Sequence, residues 1–298
     1  MTTQNLTTND GWQHLWLYFV YIAQGFVMAG FNLVAAAAIA WQTALRERKE
    51  YLIIAGKLLA DGMYGAAYLT AGIYYSFLVF FDWHSSTVHL YMCFFLPHQI
   101  LFAISTPLFC LMNLVVSIDR LFAVSCPVQY LTTKRFYAIL LLSTCFMLCS
   151  VMGVAAPVVI IYLKDCFSSS TSIKCRPGIV MQTIDPWLLF WYKDQGFYFH
   201  SLAGALCLPI VCAYSKNTTR VLPSSAQSAH HQKRQQRLTK SLAISAMSTM
   251  VVHVLPARLA YPLMFAGYVK TATTLFILSN VDPVINAFIV YKRQPEIR

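Results

Sequence analysis

Charged residues that sit inside or at the edge of long apolar runs are where this sequence is able to do chemistry: Asp61, Asp119 and Asp282, with Lys57, Arg120 and Arg258. A charge near the middle of a bilayer costs about 2.5–3.5 kcal/mol on insertion scales, so each needs a partner. Lys57 lies one helical turn before Asp61 on the same face, and one reading is a local ion pair with Lys57 reaching back to the membrane interface. The other joins Asp61 to Asn32, Asn113, Asp282 and Asn286 as a polar layer at the centre of a helix bundle. Such a layer offers two hydrogen-bond arrangements of similar energy, which is what a conformational switch requires.

Catalysis asks for a different constellation. Intramembrane hydrolases and di-iron oxidases pair His with acidic ligands at helical spacing, whereas His84, His89, His98, His200 and His253 are scattered and lack carboxylate partners at that spacing. His230 and His231 fall in a short polar connector, 223–236, that reads as solvated. No enzyme, no metal site and no cofactor is expected.

The elements that must position these residues follow from composition. Of 298 residues, 58% are hydrophobic and only 11% charged, against roughly a quarter charged in a soluble domain. Runs of about 20 apolar residues, enough to cross the hydrocarbon core, recur with short polar gaps. They predict a single all-α domain, 1–298, of seven spans at about 14–41, 51–81, 90–122, 135–163, 195–215, 238–267 and 271–291. The first span is expected to serve as its own insertion signal.

The net charge of +11 falls in the gaps between runs, so it reports topology and not a nucleic-acid partner. Arg46, Arg48, Lys49, Lys134, Arg135, Lys216, Arg220, Lys233, Arg234, Arg237 and Lys240 fall on one face with the C-terminal Lys292, Arg293 and Arg298; the other has Lys164, Lys174, Arg176, Lys193 and Lys270. The bias predicts an outer N-terminus and a cytoplasmic C-terminus. Asn5-Leu6-Thr7 is then an outer glycosylation acceptor. Interior prolines at Pro107, Pro157, Pro209, Pro256 and Pro283 suit spans that bend, because each frees a backbone carbonyl for a neighbour to satisfy.

Asn32 on the first span, Leu59-Ala60-Asp61 on the second, Asp119-Arg120 with Pro127 after the third, and Asp282-Pro283 on the seventh resemble, in order and spacing, the rhodopsin-like (class A) G-protein-coupled receptors. The stretches Arg237-Leu238-Thr239-Lys240-Ser241 and Asn286 to Arg298 look most like the nematode serpentine chemoreceptors. The chain departs from the pattern at Leu121 and Asn286, where the family usually has Tyr, and at Val254, where a Trp is common.

The resemblance implies a receptor at the plasma membrane, in a sensory cilium for a chemoreceptor, that takes a small-molecule or peptide ligand and activates a heterotrimeric G protein. Arg120 would close the inactive state through Asp119 and then turn toward the G protein, with Pro127, Asp282, Pro283 and Asn286 in the switch. It implies a disulfide from Cys93 to Cys175 or Cys166. It also implies an outer pocket, with Phe102, Ala103 and Thr106 facing inward, and with His200, Arg258 and Tyr261, and His98 and Lys270 as lesser contributors. Arg258 would find its anion in a carboxylate-bearing ligand or in Asp194. Two other readings stand beside this one: a transporter or channel using the intramembrane charges, and a receptor-like protein that no longer signals.

Overall fold

The computed structural model describes residues 15–81, 83, 87–162, 170–172, 198, 201–203, 205–206, 241, 244–245, 247–266 and 268–293. Within them α1 is Leu15–Trp41, α2 the single turn Thr43–Arg46, α3 Lys49–Phe80, α4 Pro97–Ser125, α5 Pro127–Thr132 and α6 Arg135–Tyr162. A π-helical turn, Thr249–Val254, leads into α7, Leu255–Phe265, followed by α8, Val269–Ser279, and α9, Asp282–Arg293. Four helical stretches among the described residues are long and apolar enough to cross a membrane: Leu15–Trp41, Lys49–Phe80, Pro97–Ser125 and Thr271–Lys292. The fifth expected span and the start of the sixth fall largely outside the described residues, as do Asn5, Cys166, Cys175, Asp194, His200 and the side chain of Lys270.

Within the described residues the first, second and fourth spans follow the expected runs, because apolar residues dominate each. The third does not. Residues 90–95 form a 3-10 turn, Leu96 is extended (φ −68°, ψ 134°), and the α-helix starts only at Pro97. Proline excludes the helical conformation from the residue before it and suits the first helical position, so the helix shifts toward the C-terminus and runs on to Ser125. The seventh span is cut in two at Asn280-Val281. Pro283 has no amide to offer the carbonyl of Ser279, and the chain tightens there, with Asn280, Val281 and Val284 bonding three residues back at 3.2, 3.1 and 3.1 Å.

Two three-residue strands accompany the bundle. β1, Thr87–His89, pairs antiparallel with β2, Ser170–Ser172, in the register Val88 to Thr171. The loop after α6 is therefore tied to the segment just before Cys93, which is buried and disulfide-bonded, its partner lying outside the described residues.

α1 and α3 make the closest contact in the bundle, and glycine is the reason. A Cβ at Gly65 would stand 2.6 Å from the amide nitrogen of Ala29, and one at Gly25 2.3 Å from that of Leu69. Backbone meets backbone there, as small residues permit between membrane helices. Around the seam lie two cores. At the Cys93 end, Tyr18, Tyr64, Tyr68, Tyr75 and Phe102 pack together; at the Arg120 end, Tyr51, Ile54, Leu58, Leu108, Met112 and Cys145 do so. Phe26, Phe31, Val34, Trp41 and Phe136 stand exposed on the outside, where lipid and not water is the solvent.

Candidate functional site

Two buried polar clusters lie on this frame. The first closes the end of α4. Arg120 is 2% exposed and Asp119 fully buried. The Arg120 Nε donates to Asp119 Oδ2 at 2.9 Å and its Nη2 donates to the same oxygen. Nη2 also donates to the Tyr130 hydroxyl at 2.8 Å, and that hydroxyl donates to Asp119 Oδ2 at 3.3 Å. Tyr130 belongs to the short helix α5, and its ring meets the edge of Phe122 at 5.7 Å. Burial holds the Tyr130 phenol well above its ordinary range, so it keeps the proton with which it bonds Asp119. Asp119, Arg120 and Tyr130 thus form a closed triangle in which one anion and one cation neutralise each other out of water.

The second cluster crosses the bundle. Lys57 Nζ donates to Asp61 Oδ2 at 2.7 Å, as the local-pair reading expects, but Lys57 does not reach back to the interface. It is only 4% exposed, with its ammonium 5.9 Å from the centre of the Phe109 ring. Its ion pair with the fully buried Asp61 holds it inside, and its charge is also felt at Asp282.

Asp282 Oδ2 accepts from Thr249 Oγ1 and from Asn286 Nδ2, both at 2.9 Å. Asn286 Oδ1 accepts from Ser245 Oγ at 2.6 Å. Asn32 Nδ2 donates to the carbonyls of Met28 and Pro283, at 2.8 and 3.4 Å, and Asn113 Nδ2 to that of Phe109 at 3.2 Å. The expected single layer is therefore divided. Asp61 takes its hydrogen bond within its own helix, and Asp282 with Asn286 bonds to the sixth span. Charge, more than hydrogen bonding, links the two halves. Among the described residues Asp61 Oδ1, Asp282 Oδ1 and Asn32 Oδ1 meet no hydrogen-bond partner.

His253 explains how the break at Pro283 is tolerated. Its Nδ1 lies 3.0 Å from the carbonyl of Ser279, the one that Pro283 leaves without an amide, and its ring stands edge-on to Phe109 at 5.2 Å. The π-helical turn carries His253, and such turns favour functional sites in helices.

The expected outer pocket fares differently. Phe102 packs against Tyr68 and Tyr64, with ring centres at 5.0 and 6.2 Å, so it faces α3. Aromatic contacts with the tyrosines of α3 outweigh an open position there. Ala103 and Thr106 are half-buried on α4, and Arg258 half-buried on α7. His98 is buried against Tyr74 and Tyr75, ring centres 4.7 and 5.4 Å away. The side chains of Tyr261 and Pro127 lie outside the described residues.

Sequence reasoning missed Tyr130 and Lys49 at the first cluster and Ser245, Thr249 and His253 at the second. Nothing in the spacing marks the first pair. The others carried a signal: Ser241, Ser245, Thr249 and His253 recur every fourth residue, a polar stripe along one face of an apolar helix.

Helices of membrane-crossing length, tied at one end by a disulfide and holding a buried acid–arginine pair at the other, define a multi-pass receptor of the seven-helix class. The chain belongs to the family described as serpentine type 7TM GPCR chemoreceptor Srbc, whose model matches residues 14–176. The matched stretch takes in α1 to α6 and β2, and with them Asn32, Asp61, Asp119 and Arg120. No curated protein matches the chain. The protein is a chemosensory receptor of the membrane-embedded serpentine kind.

Proposed function

We propose that the chain is one receptor domain in the plasma membrane, of a sensory cilium where the cell has one, with its N-terminus outside. It binds a small molecule or peptide from the outer side and activates a heterotrimeric G protein from the cytoplasmic side. The enclosure of Arg120 by Asp119 and Tyr130 carries this reading: a cation 2% exposed at a helix end, neutralised by its own neighbour, is a latch with a second position in water. The charged cluster of Lys57, Asp61 and Asp282 is the element through which movement of the seventh span reaches α3.

At the outer side, pairing of β1 with β2 brings the stretch between Cys166 and Cys175 to the disulfide-bonded Cys93, which supports Cys175, or Cys166, as its partner. Asn5 would carry glycan there. Arg258 favours a ligand bearing a carboxylate. The chain's family is one of receptors, and we read no enzymatic role.

The test is a second-messenger assay in reporter cells exposed to ligand pools, with wild type and Arg120→Ala at matched surface levels. The reading expects a response from wild type and none from the variant. Equal responses, or ion current and solute uptake without G-protein activation, would refute it.

A further inference from the structure

The latch on Arg120 extends to a residue that the sequence places far from it. Lys49 opens α3, at a position where the count of basic residues reads it as a loop cation, yet it is only 8% exposed. Its ammonium has three N–H donors, and α5 and the residue after it supply three acceptors: the carbonyl of Tyr130, the carbonyl of Thr133 at 2.9 Å and the Thr133 hydroxyl at 2.6 Å. The same ammonium stands 3.9 Å from the centre of the Tyr130 ring, within cation–π range. Glu50, the next residue, acts electrostatically on Lys49, Arg120 and Tyr130.

We infer that Lys49 is a positioning residue that holds α5 so that the Tyr130 hydroxyl stays on Arg120, and that it thereby sets how readily Arg120 is released. The inference rests on the coupling role proposed for Arg120. α5 has six residues, too few to persist alone, so its place depends on what grips it. From one side it is held by the Tyr130 hydroxyl on Asp119 and Arg120. From the other, Lys49 grips the backbone and ring of the same tyrosine. Arg120 leaves its enclosure only when Tyr130 moves, and Tyr130 moves only when Lys49 lets go.

Cys126, a free and half-buried thiol immediately before α5, reports that release without any G protein. The experiment uses the full chain in permeabilised cells at matched surface expression. It reads the rate of maleimide labelling of Cys126, assigned by loss of the signal in Cys126→Ser, together with basal second-messenger output. Losing the bonds of a charged donor shifts the released-to-held ratio by about tenfold or more.

Lys49→Met is expected to label about tenfold faster and to raise basal output, and Lys49→Arg to recover most of the wild-type behaviour. Tyr130→Phe keeps the grip of Lys49, so it raises basal output while labelling stays near wild type. Lys49→Met added to Tyr130→Phe raises basal output no further, since both act through one bond.

Unchanged labelling in Lys49→Met overturns the inference, as does full additivity of the double variant. If Lys49→Met fails to reach the surface, Lys49→Gln, which keeps two N–H donors, takes its place under the same criteria. Faster labelling combined with equal signalling by wild type and Arg120→Ala keeps Lys49 as the grip on α5 and overturns the coupling role instead.

Discussion

Removing the Lys57 ammonium should be the most damaging single change in the polar core. Lys57 pairs with Asp61 at 2.7 Å with both groups out of solvent, and it also acts on Asp282. In Lys57→Met the buried carboxylates of Asp61 and Asp282 are both left without that cation. Breaking such a pair typically costs about 3–5 kcal/mol, because it leaves a buried charge uncompensated. At roughly 2 °C per kcal/mol for chains of this size, melting in detergent falls by about 6–10 °C. Asp61→Asn is milder, since Asp282 remains as an anion for the ammonium. Lys57→Met with Asp61→Asn removes both charges of the pair but leaves Asp282 without the ammonium, so it recovers about half of the lost melting temperature. A thiol-reactive dye that fluoresces as the buried Cys110, Cys145 and Cys149 become accessible on heating reads the series. Additive losses in the double variant, or a single Lys57→Met loss no larger than that of Asp61→Asn, would refute the argument that one ammonium serves both carboxylates.

His253→Phe keeps the ring against Phe109 but removes its bond to the Ser279 carbonyl, at a cost of about 0.5–1.5 kcal/mol; adding Pro283→Ala supplies an amide for that carbonyl and should recover at least half of the lost melting temperature. Gly65→Ala puts a Cβ 2.6 Å from the Ala29 nitrogen and forces α1 from α3, costing about 1–3 kcal/mol. Gly30→Ala meets nothing within 4 Å and should gain about 0.5–1 kcal/mol of helix stability, both changes being measured by the same thermal assay. Arg258→Ala should abolish responses to carboxylate-bearing ligands in a dose–response screen and spare neutral ones, and equal potency for acids in both receptors would remove Arg258 from the ligand site.

The helices were legible in the sequence where hydrophobicity alone decides them. α1 ends at its expected limit, Trp41, with nothing earlier in its described run competing with helix. At Leu96-Pro97 and Ser279 to Pro283 a local rule prevailed, since proline's missing amide and its constraint on the preceding residue outweigh an apolar run. Lys57 was misplaced because a lysine stem is long enough to reach the interface, whereas here the ammonium stays on Asp61, itself fully buried. Of the clasp on Arg120 only Asp119 was legible. Lys49 and Tyr130 lie 81 positions apart, and no periodicity connects an α3 lysine with a loop tyrosine. The stripe of Ser241, Ser245, Thr249 and His253 was readable and marks the face that meets Asp282 and Asn286.

Nucleotide exchange on purified heterotrimeric G protein, driven by the receptor in lipid nanodiscs, tests most directly whether Arg120 is the group that a closed triangle with Asp119 and Tyr130 withholds from its partner. Exchange should accelerate with ligand-activated wild type, rise without ligand in Tyr130→Phe, and fall to the receptor-free rate in Arg120→Ala. Exchange by Arg120→Ala equal to that of wild type would contradict the account.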